Sequence, residues 1–190
     1  MVASTQEIIS AYQQSTRRLD GIVAGRSEEE LKKVVYPGWT AKQVLCHLAS
    51  LSGSAAFFIT MAQSGQGMGV GFDIDRWNAE QVAARRDRPV EEIMAEFRAG
   101  HESSIRAVES AADDLMMKQV PDFSGGMSAL ADLIKGSATD HEAEHLNDLE
   151  KALRGEGRTR PGEWAVGTEL FRRRRMRLWR KLCPLVNGRS

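Results

Sequence analysis

Apolar residues recur at intervals of three and four along most of the chain, which is the spacing of one face of an α-helix. No segment alternates apolar and polar residues in the way a half-buried strand does. Four of the predicted helices have about 20 residues or more, and such helices without strands indicate an all-α four-helix bundle. The helices are predicted over residues 5–23, 27–34, 40–64, 75–86, 89–112 and 128–154.

Local signals mark where these helices begin and end. Thr40 followed by Gln43 fits a capping box, and the glycines of "GEG" after Arg154 terminate the last helix. The glycine-rich "SGQGMGVGFD" lacks the lysine of a phosphate-binding loop and follows no strand. We interpret it as a flexible linker that covers the open end of the bundle rather than as a nucleotide site.

Composition places the chain among ordinary globular proteins. It has 190 residues, of which 42% are hydrophobic and 27% charged. Its N-terminus lacks a basic segment followed by an apolar one, so no secretory signal is predicted. Cys46 and Cys183 lie far apart in dissimilar contexts, and no disulfide framework is expected. We therefore expect a soluble protein of the reducing cytoplasm.

The net charge of zero hides a strong asymmetry. Residues 171–190 carry eight Lys or Arg and no acid, so the rest of the chain holds 18 basic residues against 26 acidic ones. We expect residues 1–157 to form the bundle and residues 158–190 a basic extension that is helical in part. Docking of this extension on the acidic body is favoured first, contact with an anionic membrane surface second and nucleic-acid binding last.

Three of the four histidines fall on helix faces that are predicted to point inward. His47 lies three residues after Val44 on one helix, while His141 and His145 share the stripe of the last helix. Buried neutral imidazoles need partners, and three together are difficult to satisfy except around a metal ion or an acid. The pattern predicts a metal site of His47, His141 and His145 with an open coordination position, the alternative being satisfied core histidines.

Other polar residues have two possible roles. His101 is either a fourth ligand or a partly exposed structural histidine, and the second role is favoured. Cys46 points about 100° away from His47 and is interpreted as apolar filling. Three acids either orient a metal ligand or stay solvated: Asp140, Glu142 and Glu144. Asn78 and Arg85 could reach a substrate carboxylate. Trp39 and Trp77 either pack in the core or line a cleft.

Two motifs carry a resemblance to a known superfamily. "PGWTAKQVLCHLA" leads through Trp and Thr into a helix with a histidine seven residues after that Thr, and "HEAEHL" follows much later. Together they resemble the DinB/YfiT-like superfamily over residues 5–155. The segment "FDIDRWNAEQVAARRDRPVEEIMAEF" is similar to members related to mycothiol-dependent maleylpyruvate isomerase.

This resemblance implies a four-helix bundle of unusual connectivity, a homodimer, and a divalent metal held by His47, His141 and His145. In the isomerase itself the second ligand is a glutamate, so His141 departs from that pattern and weakens any specific claim to isomerase activity. The implied function is activation of a low-molecular-weight thiol, such as mycothiol or bacillithiol, or of water, for transfer to or isomerisation of a small electrophile. Zn is the favoured metal, with Ni, Fe or Mn as alternatives. A non-catalytic metal-binding stress-response bundle is the competing hypothesis.

Overall fold

The computed structural model describes residues 2–65, 73–122 and 126–156. Most of the glycine-rich segment, Cys183 and the basic extension lie outside these residues, as does the predicted boundary at residue 157. The described residues form a helical bundle, which confirms the predicted fold class. Its helices are α1 Thr5–Val23, α2 Ala41–Leu51, α3 Ser54–Ser64, α4 Ile74–Ala83, α5 Val90–Ser110, α6 Asp113–Met116, α7 Leu130–Ile134 and α8 His141–Leu153.

Helix α5 is the central element of the bundle. It packs against α1, α2 and α3, while α8 packs against α1 and α2. The capping boxes Ser4/Glu7 and Thr40/Gln43 fix the starts of α1 and α2, the second as the sequence predicts. The ends of the predicted helices 5–23, 75–86 and 89–112 agree with α1, α4 and α5 to within three residues.

The expectation that the chain has no strands is wrong in two places. Strands β1 Val34–Tyr36 and β2 Trp39–Thr40 form one short antiparallel hairpin, and β3 Gln119–Pro121 and β4 Met127–Ala129 form another. At the tip of the first hairpin Gly38 has a φ of 82°, a conformation that favours glycine. The "YPGWT" sequence is therefore a tight turn that returns the chain to the start of α2. The helix predicted over residues 27–34 is only a 3₁₀ turn, Glu30–Lys32, and Val34 already belongs to β1.

The predicted helix 40–64 is divided at Ser52 and Gly53. The carbonyl of Ser52 accepts a hydrogen bond from the Ser104 hydroxyl on α5 at 2.7 Å. Helix α5 approaches closely here because Gly100 has no side chain: a Cβ at this position would lie 1.9 Å from Ser52 Oγ and 3.0 Å from the backbone nitrogen of Gly53. The close contact with α5 thus stabilises the break between α2 and α3.

The predicted helix 128–154 is also irregular. Its first residues belong to β4, and a π-helical segment, Lys135–Asp140, separates α7 from α8. Within that segment the Thr139 hydroxyl donates to the carbonyl of Lys135 at 2.8 Å. Extra residues in such a segment shift the rotational phase of the helix that follows, and π segments are frequent at functional sites. Helix α8, with its two histidines, starts directly after it.

Residues Ala41–Ser64 are long and apolar enough, by length and composition, to cross a membrane. In the described part of the chain they are the only such stretch, with a mean hydropathy of 1.6. The core helix of a globular protein passes the same test, and 56% of the apolar 18-residue window in this stretch is buried inside the bundle. Its apolar face is the core face of α2 and α3.

We predict that Gly100→Ala destabilises the protein by about 1–3 kcal/mol, because the new methyl group must displace Ser52 and the adjoining backbone. Chemical denaturation measures the free energy of unfolding. Gly21→Ala in α1 is the matched control, because a Cβ there meets no atom within 4 Å and alanine favours the helix. Equal effects of the two substitutions would contradict the close approach of α5.

Candidate functional site

Three histidine side chains meet in the interior between α2 and α8. His47 is buried on α2, and His141 and His145 are half-buried on the first two turns of α8. The Nε2 atom of His141 lies 3.4 Å from Nε2 of His47 and 3.1 Å from Nε2 of His145. One nitrogen from each ring lies within 4.8 Å of the others. The sequence prediction that these three residues come together is thereby confirmed.

The three nitrogens are arranged as donors to a common ion would be. Tetrahedral Zn with bonds of about 2.0–2.1 Å has ligand atoms about 3.3–3.4 Å apart, close to the two separations from His141, 3.1 and 3.4 Å. The rings stand nearly perpendicular to one another, at 88° for His47 and His141 and 83° for His141 and His145. One nitrogen of each ring lies close enough to the other two for the three to share an ion, so the site could hold a divalent metal.

Burial keeps these imidazoles neutral. Desolvation lowers the pKa of His47 from 6.5 to about 4, and the neighbouring His141 lowers it further. Desolvation also lowers the pKa of His141 and, more strongly, that of His145, which faces both other rings. Metal ligation requires the neutral imidazole, so the low pKa values leave all three nitrogens available near pH 7.

The Nδ1 atom of His145 is held by Tyr36 of β1. The two atoms are 2.7 Å apart, and the Tyr36 hydroxyl donates to Asp148 Oδ2 at 3.2 Å. Because a carboxylate only accepts, this arrangement leaves the tyrosine oxygen to accept from Nδ1–H of His145, which directs the free electron pair of Nε2 into the cluster. Burial and the nearby Asp148 raise the pKa of Tyr36, so its hydroxyl stays protonated.

Sequence reasoning missed Tyr36 and Asp148. Asp148 follows His145 by three residues and so lies on the same helix face, a signal that was present in the sequence. Tyr36 had no comparable signal, because only the β1–β2 hairpin brings it to α8. For Asp140, Glu142 and Glu144 the sequence allows a role in orienting a ligand but favours a solvated helix face. Glu144 is exposed and Asp140 pairs with Lys135 at 2.7 Å, which fits the favoured role for these two.

The indole of Trp39 connects the histidines to a cavity. Its ring centroid lies 5.3 Å from that of His47, with the rings edge to face. Trp39 also borders a cavity of about 160 Å³ between the start of α2 and α4. This cavity is lined by Trp39, Gln43, Ala79, Val82, Ala83 and Arg86. The possibility that Trp39 forms a cleft wall thus has a structural counterpart beside His47.

Two basic residues near this cavity have different partners. Arg85, which the sequence suggests as a carboxylate-binding residue, is held by Glu96 at 2.7 Å and by Gln81 at 2.8 Å. Arg86 lines the cavity and lies 3.6 Å from Asp87, with its side chain 59% exposed. Arg86 is therefore better placed than Arg85 to meet an anionic ligand.

His101 is fully buried, so the expectation of a partly exposed histidine is wrong. Its Nε2 lies 3.0 Å from Oε2 of Glu142, and its Nδ1 lies 2.8 Å from the Thr16 hydroxyl. Both ring nitrogens are occupied by these contacts, and His101 is not part of the three-histidine group. Glu142 is likewise buried, 5% exposed, and not a solvated residue. Cys46 is a buried free cysteine, in agreement with its role as apolar filling.

Comparison with known families gives one match. Residues 12–150 match the family described as the mycothiol maleylpyruvate isomerase N-terminal domain. No curated protein matches the chain.

Two solved structures share the fold. They are the mycothiol-dependent maleylpyruvate isomerase, with a TM-score of 0.65 and 13% identity, and a histidine-to-alanine mutant of it, with a TM-score of 0.64 and 12% identity. Each alignment covers 77% of this chain and 61% of the other, so this chain spans less than two thirds of the solved isomerase.

We predict that the metal-free protein loses stability as the pH falls from about 6.5 to 4. In this window the unfolded chain binds a proton at His47 that the folded chain excludes, because the folded-state pKa is about 4 and the reference value is 6.5. This difference corresponds to about 3 kcal/mol. Denaturation in chelator at several pH values measures it. His47→Gln should show a correspondingly flatter pH dependence, and identical slopes would contradict the assignment.

Proposed function

Because the chain belongs to the mycothiol maleylpyruvate isomerase N-terminal domain family, we propose that it is a divalent-metal-dependent enzyme that activates a low-molecular-weight thiol. The activated thiol is transferred to a small electrophile or assists its isomerisation. His47, His141 and His145 hold the metal. The observation that carries this proposal is the convergence of three neutral imidazole nitrogens at separations of 3.1 and 3.4 Å.

The number of ligands favours catalysis over a purely structural metal. Among the described residues the cluster contains three ligand side chains, and His101, the alternative fourth ligand, is bonded to Thr16 and Glu142 instead. Structural Zn sites usually have four protein ligands, whereas catalytic sites keep a position for water or substrate. The alternative of a non-catalytic metal-binding bundle would need a fourth side chain at this position.

A divalent ion bound by three neutral ligands keeps its full charge and lowers the pKa of a coordinated thiol or water. The protein's own residues orient and desolvate this centre. Tyr36 and Asp148 fix the ring of His145, while the indole of Trp39 packs against His47 and limits the access of water from that side. Tyr36 keeps its proton and therefore acts as an orienting group rather than a base.

The electrophile has a suitable binding place in the cavity beside Trp39. Trp39 and Val82 offer apolar surface to the body of a small molecule, and Arg86 offers a cation at the rim. A cavity of about 160 Å³ accommodates only a compact ligand. We propose that a small electrophile with a carboxylate binds here, one helical turn of α2 away from His47.

The choice of thiol rests on the relatives, and the choice of metal rests on the ligands. The solved structures of similar fold are named as mycothiol-dependent, so mycothiol is the first thiol to test and bacillithiol the second. Imidazole ligands suit Zn first, with Ni, Fe or Mn as further candidates. We also propose a cytoplasmic homodimer, with the basic extension 158–190 docked on the acidic body.

We predict that His141→Asn lowers the metal content from one ion per chain to well below one and reduces thiol transfer by more than about 100-fold. The loss of a metal ligand costs at least as much as the loss of a residue that only hydrogen-bonds to a ligand. Elemental analysis of untagged protein and turnover with a panel of thiols measure both quantities. Glu144→Gln, an exposed change on the same helix, is the control. Activity that survives loss of the metal would separate catalysis from the site, and a wild-type protein with little Zn, Ni, Fe or Mn would refute the site itself.

We predict that Arg86→Gln raises KM for a carboxylate electrophile about 10- to 100-fold, the effect of losing a charge-assisted contact worth about 1.5–3 kcal/mol. The metal content and the turnover of an uncharged electrophile should not change. Arg76→Gln, an exposed change on α4, whose last turn lines the cavity, is the matched control. If both electrophiles lose activity equally, Arg86 has a role other than carboxylate binding.

A further inference from the structure

A buried polar pair joins α5 to α8 behind the histidine cluster. His101 and Glu142 have side chains that are only 1% and 7% exposed, and Nε2 of His101 lies 3.0 Å from Oε2 of Glu142. The imidazole ring also packs against Phe97 at 4.1 Å and against Tyr12 at 4.8 Å. The pair is therefore enclosed by protein, and no substrate can reach it directly.

The pair lies between two separate parts of the core. Phe97 belongs to the apolar cluster around α2, α4 and α8, and Tyr12 belongs to the cluster around α1, α3 and α7. Thr16 of α1 contacts Nδ1 of His101, so the ring is fixed by hydrogen bonds to α1 on one side and to α8 on the other. The orientation of the ring is therefore set by two helices at once.

The position of Glu142 relates this pair to the proposed metal site. Glu142 follows His141 directly in α8, and consecutive side chains on a helix point about 100° apart. Fixing the direction of Glu142 therefore fixes the direction of His141. The π-helical segment Lys135–Asp140 ends immediately before these residues, so the phase of α8 is not a simple continuation of α7.

We propose that His101 and Glu142 are positioning residues that fix the rotation of α8 after the π-helical segment and thereby place His141 opposite His47. This inference rests on the proposed function in its use of a metal. The permitted rotation is small. With the imidazole nitrogen about 6 Å from the helix axis, a rotation of about 10° moves it by about 1 Å, more than the roughly 0.5 Å that a preorganised site allows.

The energetics of buried pairs distinguish positioning from stabilisation. Replacing both members of such a pair by apolar residues is often neutral or stabilising, because the two groups no longer have to be desolvated. Removing one member leaves the facing polar atom of the other buried without that partner, and Oε1 of Glu142 already has none. The double substitution therefore removes the geometric constraint without a necessary loss of stability.

The decisive experiment compares His101→Leu/Glu142→Leu with wild type by Zn competition against a chromophoric chelator. We expect a melting temperature equal to or above that of wild type, a Kd for Zn at least 10-fold higher, and an altered visible spectrum of the cobalt-substituted protein. Glu142→Gln keeps the size of the side chain and a hydrogen bond to His101, and should keep Kd within threefold of wild type. A well-folded double variant with unchanged Kd and cobalt spectrum would overturn the proposal.

Two further variants keep the test decisive. Ile8→Val loosens the core cluster around α1, α3 and α7 and should lower the melting temperature while the Kd for Zn stays unchanged. This variant separates a general loss of stability from a loss of positioning. If the double variant does not fold, Thr16→Val removes the contact to α1 and should raise Kd at least threefold; an unchanged Kd then overturns the proposal.

Measurements in chelator separate this inference from the proposed function. Proton–nitrogen correlation spectra of the histidine rings should show shifted resonances of His141 when the pair is removed, with or without metal. Unchanged resonances would overturn the positioning role. A wild-type protein that binds no metal while these resonances shift would refute the proposed function and leave the positioning of α8 supported.

Discussion

The meeting of three neutral imidazoles inside the bundle is the constraint around which the neighbouring irregularities of the fold are arranged. Each ring must lose its water and still find partners, and burial lowers the pKa values so that protons cannot supply the compensation. The break after α2 follows His47 by one turn, and the π-helical segment ends directly before His141. The β1–β2 hairpin brings Tyr36 to His145. Regular helices alone would not bring Tyr36 to His145.

Buried polar residues also divide the core of the bundle. The two apolar clusters meet at a layer of buried polar residues, where α1, α5 and α8 are joined by hydrogen bonds and where Ser104 of α5 contacts the break at Ser52. Buried polar contacts contribute little net stability but are costly to leave incomplete, so they specify one arrangement of helices among several of similar apolar burial. The apolar clusters on either side provide the stability, and the polar layer determines how the helices are rotated. The buried polar residues are Ser15, His47, Ser52, His101, Ser104, Thr139 and Glu142.

Local signals in the sequence were sufficient for some of this structure. The capping box at Thr40 and Gln43 and the spacing of His47 from Val44 both act within one or two helical turns, so the start of α2 and the inward direction of His47 could be predicted. The division of the helix at Ser52 could not, because it depends on Gly100 and Ser104, about 50 residues away. The same holds for His101: its burial is decided by Thr16 and Glu142, which belong to two other helices. Contacts between distant segments leave no periodic pattern to detect.

The composition of the proposed centre bears on which reactions suit it. The resemblance of the sequence to the isomerases implies a glutamate at the position of His141, so an ion in the proposed three-histidine centre would carry one more positive charge and lower the pKa of a thiol further. A lower pKa increases the thiolate fraction only until it falls below the ambient pH, whereas the nucleophilicity of the sulfur decreases throughout. A centre of three imidazoles is therefore best suited to electrophiles that react readily with a weak nucleophile. In the proposed site, a compact electrophile bound by Arg86 beside Trp39 would gain its rate from orientation, and such a site depends on a rigid ligand cluster more than on a strongly basic sulfur.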